Sequence, residues 1–163
     1  MIPAISIVGK NSNTGKTTVL CNIIQELKKR GYRVATIKHD VHGFDIDHPG
    51  KDTWKHGQAG SDIVMISSPQ KFAMIEKVEK EYTLDEIISK IDNVDIIITE
   101  GYKRENKPKL EVFRTEAAEC LLCEDHELFG LVTDVKFDKD VPQFGFTEVE
   151  KLVDHIVELF LSK

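Results

Sequence analysis

Residues 7–20, IVGKNSNTGKTTVL, restrict the folds open to this chain more than any other stretch. The run AISIVG, rich in Ile and bounded by Gly9, reads as a buried strand. A polar loop follows, and after Lys16 apolar residues return at Leu20, Ile23, Ile24 and Leu27. That spacing is helical, and Gly31 stands where a helix-terminating glycine belongs. A buried strand that feeds a helix through a tight loop is the opening unit of a parallel α/β sheet.

The rest of the chain extends this rhythm. YRVATIK (32–38), VDIIIT (94–99), KLEVFR (109–114) and ELFGLVTD (127–134) read as further strands. Thr83 with Glu86, and Thr147 with Glu150, stand at capping-box spacing and predict helices over TLDEIISKI and TEVEKLVDHIVELFL. Residues 39–60 are rich in His, Asp, Gly and Lys without periodicity, and predict a long functional loop with one helical turn at most. SDIVMIS and KFAMIEKV flank Ser68-Pro69-Gln70 and predict a β-hairpin at about 62–78. The expectation is one nucleotide-binding domain over 1–163: a three-layer α/β fold with a mainly parallel sheet and an antiparallel hairpin.

Charge and cysteine usage narrow the function classes. A formal charge of -6 gives no global basic field, so nucleic acid is not an expected partner. No apolar run reaches bilayer length and the N-terminus lacks a signal-peptide pattern, so neither a membrane nor export is expected. Three cysteines fit a reducing cytoplasm rather than a disulfide framework. Cys120, Cys123 and His126 form a lone C-x2-C-x2-H, a weak metal or redox signal without a second pair, and Cys21 reads as a packing residue.

The loop between first strand and first helix has phosphate-binding chemistry. Backbone N–H groups at a helix N-terminus face an anion and the helix dipole favours it. In such a P-loop, Asn13, Thr14, Gly15, Lys16, Thr17 and Thr18 surround the phosphates; Lys16 meets the β- and γ-phosphates, and the Thr17 hydroxyl meets Mg²⁺. The usual spacing is G-x-x-x-x-G-K-[ST], but five residues separate Gly9 from Gly15. Either the loop is one residue longer or Lys10 takes the first glycine position; Asn11 and Asn13 ease both, since asparagine tolerates left-handed backbone. Glu100, at the carboxyl end of VDIIIT, is the candidate for organising Mg²⁺ or a water, whereas Asp95 lies at the wrong end of that strand. Asp40, Asp47 and Asp52 compete as metal ligands. Asp134, at the end of LVTD, is positioned to read guanine, although no Asn-Lys-x-Asp pattern surrounds it.

Three blocks together carry a family resemblance. NTGKTT, IKHDVHGFDIDHPGKDTWKHGQAG and TEGYKRENKPKLEVFR are similar in order and spacing to the molybdopterin-guanine dinucleotide biosynthesis protein B (MobB) family. The extra residue before Gly15 is a departure. The resemblance implies a GTP-binding protein with weak GTPase activity, to which the P-loop reading adds Mg²⁺. It implies action beside a molybdenum cofactor guanylyltransferase, which joins GMP to molybdopterin, and a homodimeric state. It draws His39, Asp47, Lys51, Asp52, Gly101 and Lys103 into the candidate site beside the P-loop residues, with Lys16 and Glu100 as catalytic candidates and Thr17 and Glu100 as metal ligands.

Two segments keep alternative readings. The 39–60 loop offers Lys38, His39, His42, His48, Lys51, Lys55 and His56 to a phosphorylated ligand such as molybdopterin, and its aspartates to a cation; it also reads as a solvated surface loop. Lys103, Arg104, Lys107, Lys109 and Arg114 outnumber Glu105 and Glu111, and read as a basic rim or a solvated hairpin. Two other functions use the same motifs: a small-molecule P-loop kinase with the 39–60 loop as acceptor site, and a histidine-based metal-delivery GTPase.

Overall fold

A computed structural model describes residues 1–162. The chain divides into two compact units, Met1–His39 with Leu84–Lys163, and Asp40–Thr83.

The larger unit is built on one six-stranded sheet. Its strands are β1 (Ala4–Val8), β2 (Val34–Lys38), β5 (Ile96–Glu100), β6 (Lys109–Phe113), β7 (Leu128–Thr133) and β8 (Gln143–Phe144), in the order β2-β5-β1-β6-β7-β8. Every pairing is parallel, as expected from alternating strands and helices. The central strands are buried on both faces, which explains their unbroken apolar runs. One face carries Ile5, Ile7, Ile96, Ile98, Leu110, Val112 and Val132 into a single core with Val19, Leu20, Ile23 and Leu27 of α1 (Lys16–Lys29) and Leu152, Val153 and Ile156 of α4 (Val149–Ile156). The helical spacing of α1 is therefore its buried stripe. Gly31 ends it with φ 89°, and the Tyr32 N–H closes back on the Leu27 carbonyl at 3.0 Å.

The opposite face holds polar groups with their partners inside. Thr99 donates to Ser6 Oγ at 2.9 Å across β5 and β1. Glu111, fully buried on β6, accepts the N–H groups of Leu122 and Cys123 at 2.6 and 3.0 Å and so ties the following loop over the sheet. Lys109 is buried too, its Nζ 2.7 Å from Glu127 at a short 3₁₀ turn, Asp125–Glu127. Both residues leave the basic rim that the charge pattern suggested: on a central parallel strand the alternate side chains also face protein. A short helix α3, Leu84–Ile88, belongs to this unit as well.

Helix α4 starts one residue later than its capping-box signal. Glu148 is the N-cap and makes no side-chain cap bond. Its carboxylate instead accepts the Gly145 N–H at 2.9 Å and pairs with Lys151, fixing the turn before the helix rather than its first turn. The helix continues as a π-helical turn, Val157–Leu161. Strand β8 was not expected; two residues leave no periodicity to read.

The smaller unit contains α2 (Asp52–Gln58) and the antiparallel pair β3 (Ile63–Ser68) and β4 (Lys71–Glu76), which form their own two-stranded sheet. The hairpin stands where the sequence placed it. Helix α2 is longer than the single turn expected, and it buries none of its residues fully, so no apolar stripe marked it. Asp47 accepts from the Thr53 hydroxyl and the His48 N–H, tying the preceding loop to α2. Trp54 lines a cavity of about 120 Å³ with Ile46, Thr53, Val64 and Ile75. Opposite strand positions Met65 and Met74, with Ile63 and Phe72 on the same face, are exposed; Met65 and Phe72 are 55% and 63% accessible. Among the described residues no helix is long and apolar enough to cross a membrane.

Candidate functional site

Strands β5, β1 and β6 are neighbours in the sheet, and the chain leaving each carboxyl end contributes to one cleft. That is where an open parallel α/β sheet places a ligand. The cleft encloses about 590 Å³ between Ser12, Asn13, Gly15, Lys16, Thr17, Thr18, Glu100, Arg114 and Glu116.

The loop after β1 is shaped by two close constraints. A Cβ on Gly9 would stand 2.8 Å from both Thr14 Oγ1 and the Val112 carbonyl oxygen, so only glycine lets the loop fold back against β6. At the far end Asn13 has φ 64° and Gly15 φ 94°, the left-handed turns that aim the chain into α1. Asparagine thus takes a position that steric freedom would otherwise assign to glycine. The loop is braced from outside: Asn11 Nδ2 donates to the Ala117 carbonyl at 2.8 Å, Lys103 Nζ to the Lys10 carbonyl at 2.9 Å, and Lys10 Nζ reaches Cys120 Sγ at 2.7 Å.

Lys16 begins α1 and folds back over the loop, donating to the Asn11 carbonyl at 2.6 Å and to Thr14 Oγ1 at 3.3 Å. Burial lowers its pKa, Lys103 and Lys38 lower it further, and Glu100 opposes them. A half-buried cation facing other cations is stabilised by an anion in the same space. Thr17, one residue on, donates its hydroxyl to Glu100 Oε1 at 2.9 Å. A hydroxyl and a carboxylate side by side, next to a phosphate-sized anion site, match the sparse protein contribution to a Mg²⁺ ion that keeps waters and phosphate oxygens as its other ligands.

Glu100 is held by the turn that follows it. His39 N–H donates to the Glu100 carbonyl at 3.0 Å, and Gly101 N–H to the Ile7 carbonyl at 3.2 Å. The His39 ring stacks on Tyr102, centroids 4.7 Å apart, with Tyr102 in left-handed backbone at φ 51°. His39, Glu100, Gly101 and Lys103 therefore join the ends of β2 and β5 beside the loop. Asp47, Lys51 and Asp52 belong to the smaller unit, where Thr53 and His48 hold the Asp47 carboxyl below its ordinary pKa. Asp134 lies just beyond β7, and both its oxygens accept from Thr115: the N–H at 3.1 and 3.2 Å, and the hydroxyl at 2.9 Å.

Two cleft residues escaped the motif search or were misread. Arg114 directly follows β6 and Glu100 is the last residue of β5, a shared place at strand carboxyl ends that the sequence carries but the surrounding run of lysines obscures. Its guanidinium lies over Phe146 at 4.0 Å. Glu116 stands in the next turn and carried no motif. The C-x2-C-x2-H set is not assembled as a site: Cys123 is buried over Glu111, its thiol pushed up to about 12 chiefly by burial. Among the described residues no three His, Cys, Asp or Glu side chains gather to hold a metal ion.

Comparison with known proteins places this geometry. Residues 4–134 match the family model described as Molybdopterin guanine dinucleotide synthesis protein B, MobB. The chain belongs to the MobB family. It is 35% identical to the molybdopterin-guanine dinucleotide biosynthesis adapter protein of Escherichia coli K12, over 97% of this chain and 93% of that protein. It is 31% identical to the protein of the same name from Haemophilus influenzae, over 95% and 88%. A crystal structure of molybdopterin-guanine biosynthesis protein B superposes with TM-score 0.72 at 28% identity, over 96% of this chain and 99% of that one. The crystal structure of Bacillus subtilis MobB shares the fold with TM-score 0.79 at 20% identity, over 99% and 100%. The mainly parallel α/β architecture with its separate hairpin is thus the MobB architecture, a P-loop NTPase fold.

Proposed function

We propose that this chain is a GTP-binding accessory protein of molybdenum cofactor biosynthesis. In this reading it binds GTP with Mg²⁺, hydrolyses it slowly, and assists the guanylyltransferase that converts molybdopterin to its guanine dinucleotide form. Membership of the MobB family supports the pathway, and the adapter role is the one named for its relatives. The observation that carries nucleotide binding is the pairing of Thr17 with Glu100 at 2.9 Å beside the charge-stressed Lys16. The Asn13–Thr18 backbone and Lys16 hold the phosphates; Thr17 and Glu100 would hold a Mg²⁺ ion, which would supply charge to offset that on the phosphate oxygens. Three cysteines with no disulfide between them suit the cytoplasm.

The exposed apolar face of the hairpin supports a homodimer in which a second copy covers it. The loop before α2, with Lys51 and Asp52, is assigned to molybdopterin or a derivative of it. Calorimetric titration with GTP, ATP and molybdopterin, with and without Mg²⁺, tests the reading. GTP binding that strengthens with Mg²⁺ and weakens at least about tenfold in Lys16→Ala is the expected result. Preference for ATP, with turnover on adding one small-molecule acceptor, would indicate a kinase instead.

A further inference from the structure

We infer that the turn Arg114–Ala118 is the nucleoside wall of the cleft, with the Arg114 guanidinium stacking on the purine and Glu116 reading the guanine edge. The inference rests on the GTP-binding reading and names the recognition elements of that same site. Its starting point is the layout of three adjacent strands. Glu100 leaves β5 on one side of β1, and Arg114 leaves β6 on the other. The metal and terminal-phosphate chemistry gathers at Thr17 and Glu100. Arg114 and Glu116 line the same cleft, with the Arg114 guanidinium beside Gly15.

Arg114 is built as a platform. Its guanidinium carbon lies over the Phe146 ring, 4.0 Å from the centroid, and Nε and Nη2 lie 3.5 and 3.8 Å from where a Gly15 Cβ would be. A guanidinium that already pairs with one ring is suited to stack on a second π-system such as a purine. The turn is pinned on both sides. Asn11 of the phosphate loop holds the Ala117 carbonyl, and Asp134 holds the N–H and hydroxyl of Thr115. Asp134 therefore spends its carboxylate on positioning the turn.

Glu116 supplies the discrimination. A carboxylate repels phosphate, so in a phosphate cleft it serves a cation, as Glu100 does in the proposed function, or a part of the ligand that presents donors. Guanine presents two neighbouring donors, N1–H and the 2-amino group; adenine presents an acceptor at N1. Glu116 thus accepts a two-pronged hydrogen bond from guanine and none of that form from adenine.

The test measures binding of GTP, XTP and inorganic tripolyphosphate, each with Mg²⁺, to the intact protein and four variants. Arg114→Ala is expected to weaken GTP about tenfold, the scale of one lost base-stacking contact, and to leave tripolyphosphate within about twofold. Glu116→Gln, whose amide pairs with the xanthine 2-oxo group, is expected to shift the GTP-to-XTP preference by about tenfold towards XTP. Equal weakening of GTP and tripolyphosphate by Arg114→Ala would make Arg114 a phosphate ligand and overturn the assignment. An XTP shift in Asp134→Asn but not in Glu116→Gln would return the reading of guanine to Asp134 and overturn it as well. If wild type binds GTP, Lys16→Ala weakens it at least about tenfold, and neither Arg114 nor Glu116 matters, this inference fails while the nucleotide site stands. Absence of GTP binding by wild type would overturn both.

Discussion

Burial and the ammonium groups of Lys103 and Lys38 lower the pKa of Lys16, and Glu100 acts in the other direction. A lysine with a folded pKa below its unfolded one binds fewer protons in the fold. Its charge therefore costs stability at neutral pH, and the cost is relieved as pH rises through the folded value toward the unfolded one. A triphosphate restores the pKa, so in that alkaline window GTP binding takes up protons. Calorimetry in two buffers of different ionisation heat is expected to show this uptake in wild type and not in Lys16→Ala. The same variant is expected to lose at least about tenfold in GTP affinity, ~1.4 kcal/mol; unchanged affinity would move the phosphates elsewhere. Glu111 gives a stability counterpart. Glu111→Ala leaves the N–H groups of Leu122 and Cys123 without their acceptor, an expected cost of about 2–4 kcal/mol in urea unfolding. A loss below about 0.5 kcal/mol would mean that water reaches the gap. Lys16 and Thr17 were legible because their chemistry is tied to a spacing. Glu111 was not, since a sequence shows its charge and not the two amides waiting for it.

Elements were legible where burial imposed a period. Five of the six sheet strands (β1, β2, β5, β6 and β7), α1 and the hairpin leave apolar runs or spacing, whereas β8 is too short and α2 too polar to do so. The hairpin also carries a prediction. Met65 and Met74 oppose each other on a face shared with Ile63 and Phe72, and this exposed apolar strip has no cover within its own unit. If a second copy covers it, Met65→Glu with Phe72→Glu is expected to turn a dimer into a monomer by light scattering at micromolar concentration, since buried charge is costly. Unfolding of the double variant is expected to stay cooperative, because these side chains face away from the chain's own core. A monomeric wild type, or a dimer that survives both glutamates, would remove the hairpin from the interface. In the larger unit, α1 tests the metal assignment. Thr17→Ala is expected to keep metal-free nucleotide binding and lose the gain from Mg²⁺; a full Mg²⁺ gain in that variant would show that Thr17 is no ligand.

At the scale of the molecule, the question is whether the cleft is complete for hydrolysis. Phosphoryl transfer needs an oriented nucleophile and positive charge on the transferring group. The chain supplies Lys16, and Glu100 is placed to orient metal or water. Arg114 is the arginine in this cleft, and its guanidinium lies over Phe146 beside Gly15. Arg104 lines a different hollow, with Lys109, His126 and Phe160. An arginine that meets the terminal phosphate, worth about 10³–10⁵ in rate where it is present, is therefore not assembled among the described residues of this cleft. GTP turnover by the isolated protein is expected to fall well below the ~1–100 s⁻¹ of dedicated phosphoryl-transfer enzymes. It is expected to rise when the guanylyltransferase or molybdopterin is added, because a partner can supply the missing charge or close the cleft to water. Steady-state phosphate release from the purified chain measures the first expectation, and the same assay with partner added measures the second. Fast release by the chain alone, undiminished in an Arg104/Arg114 double alanine variant, would mean that Lys16, Glu100 and the metal suffice, and the accessory mechanism would have to be abandoned.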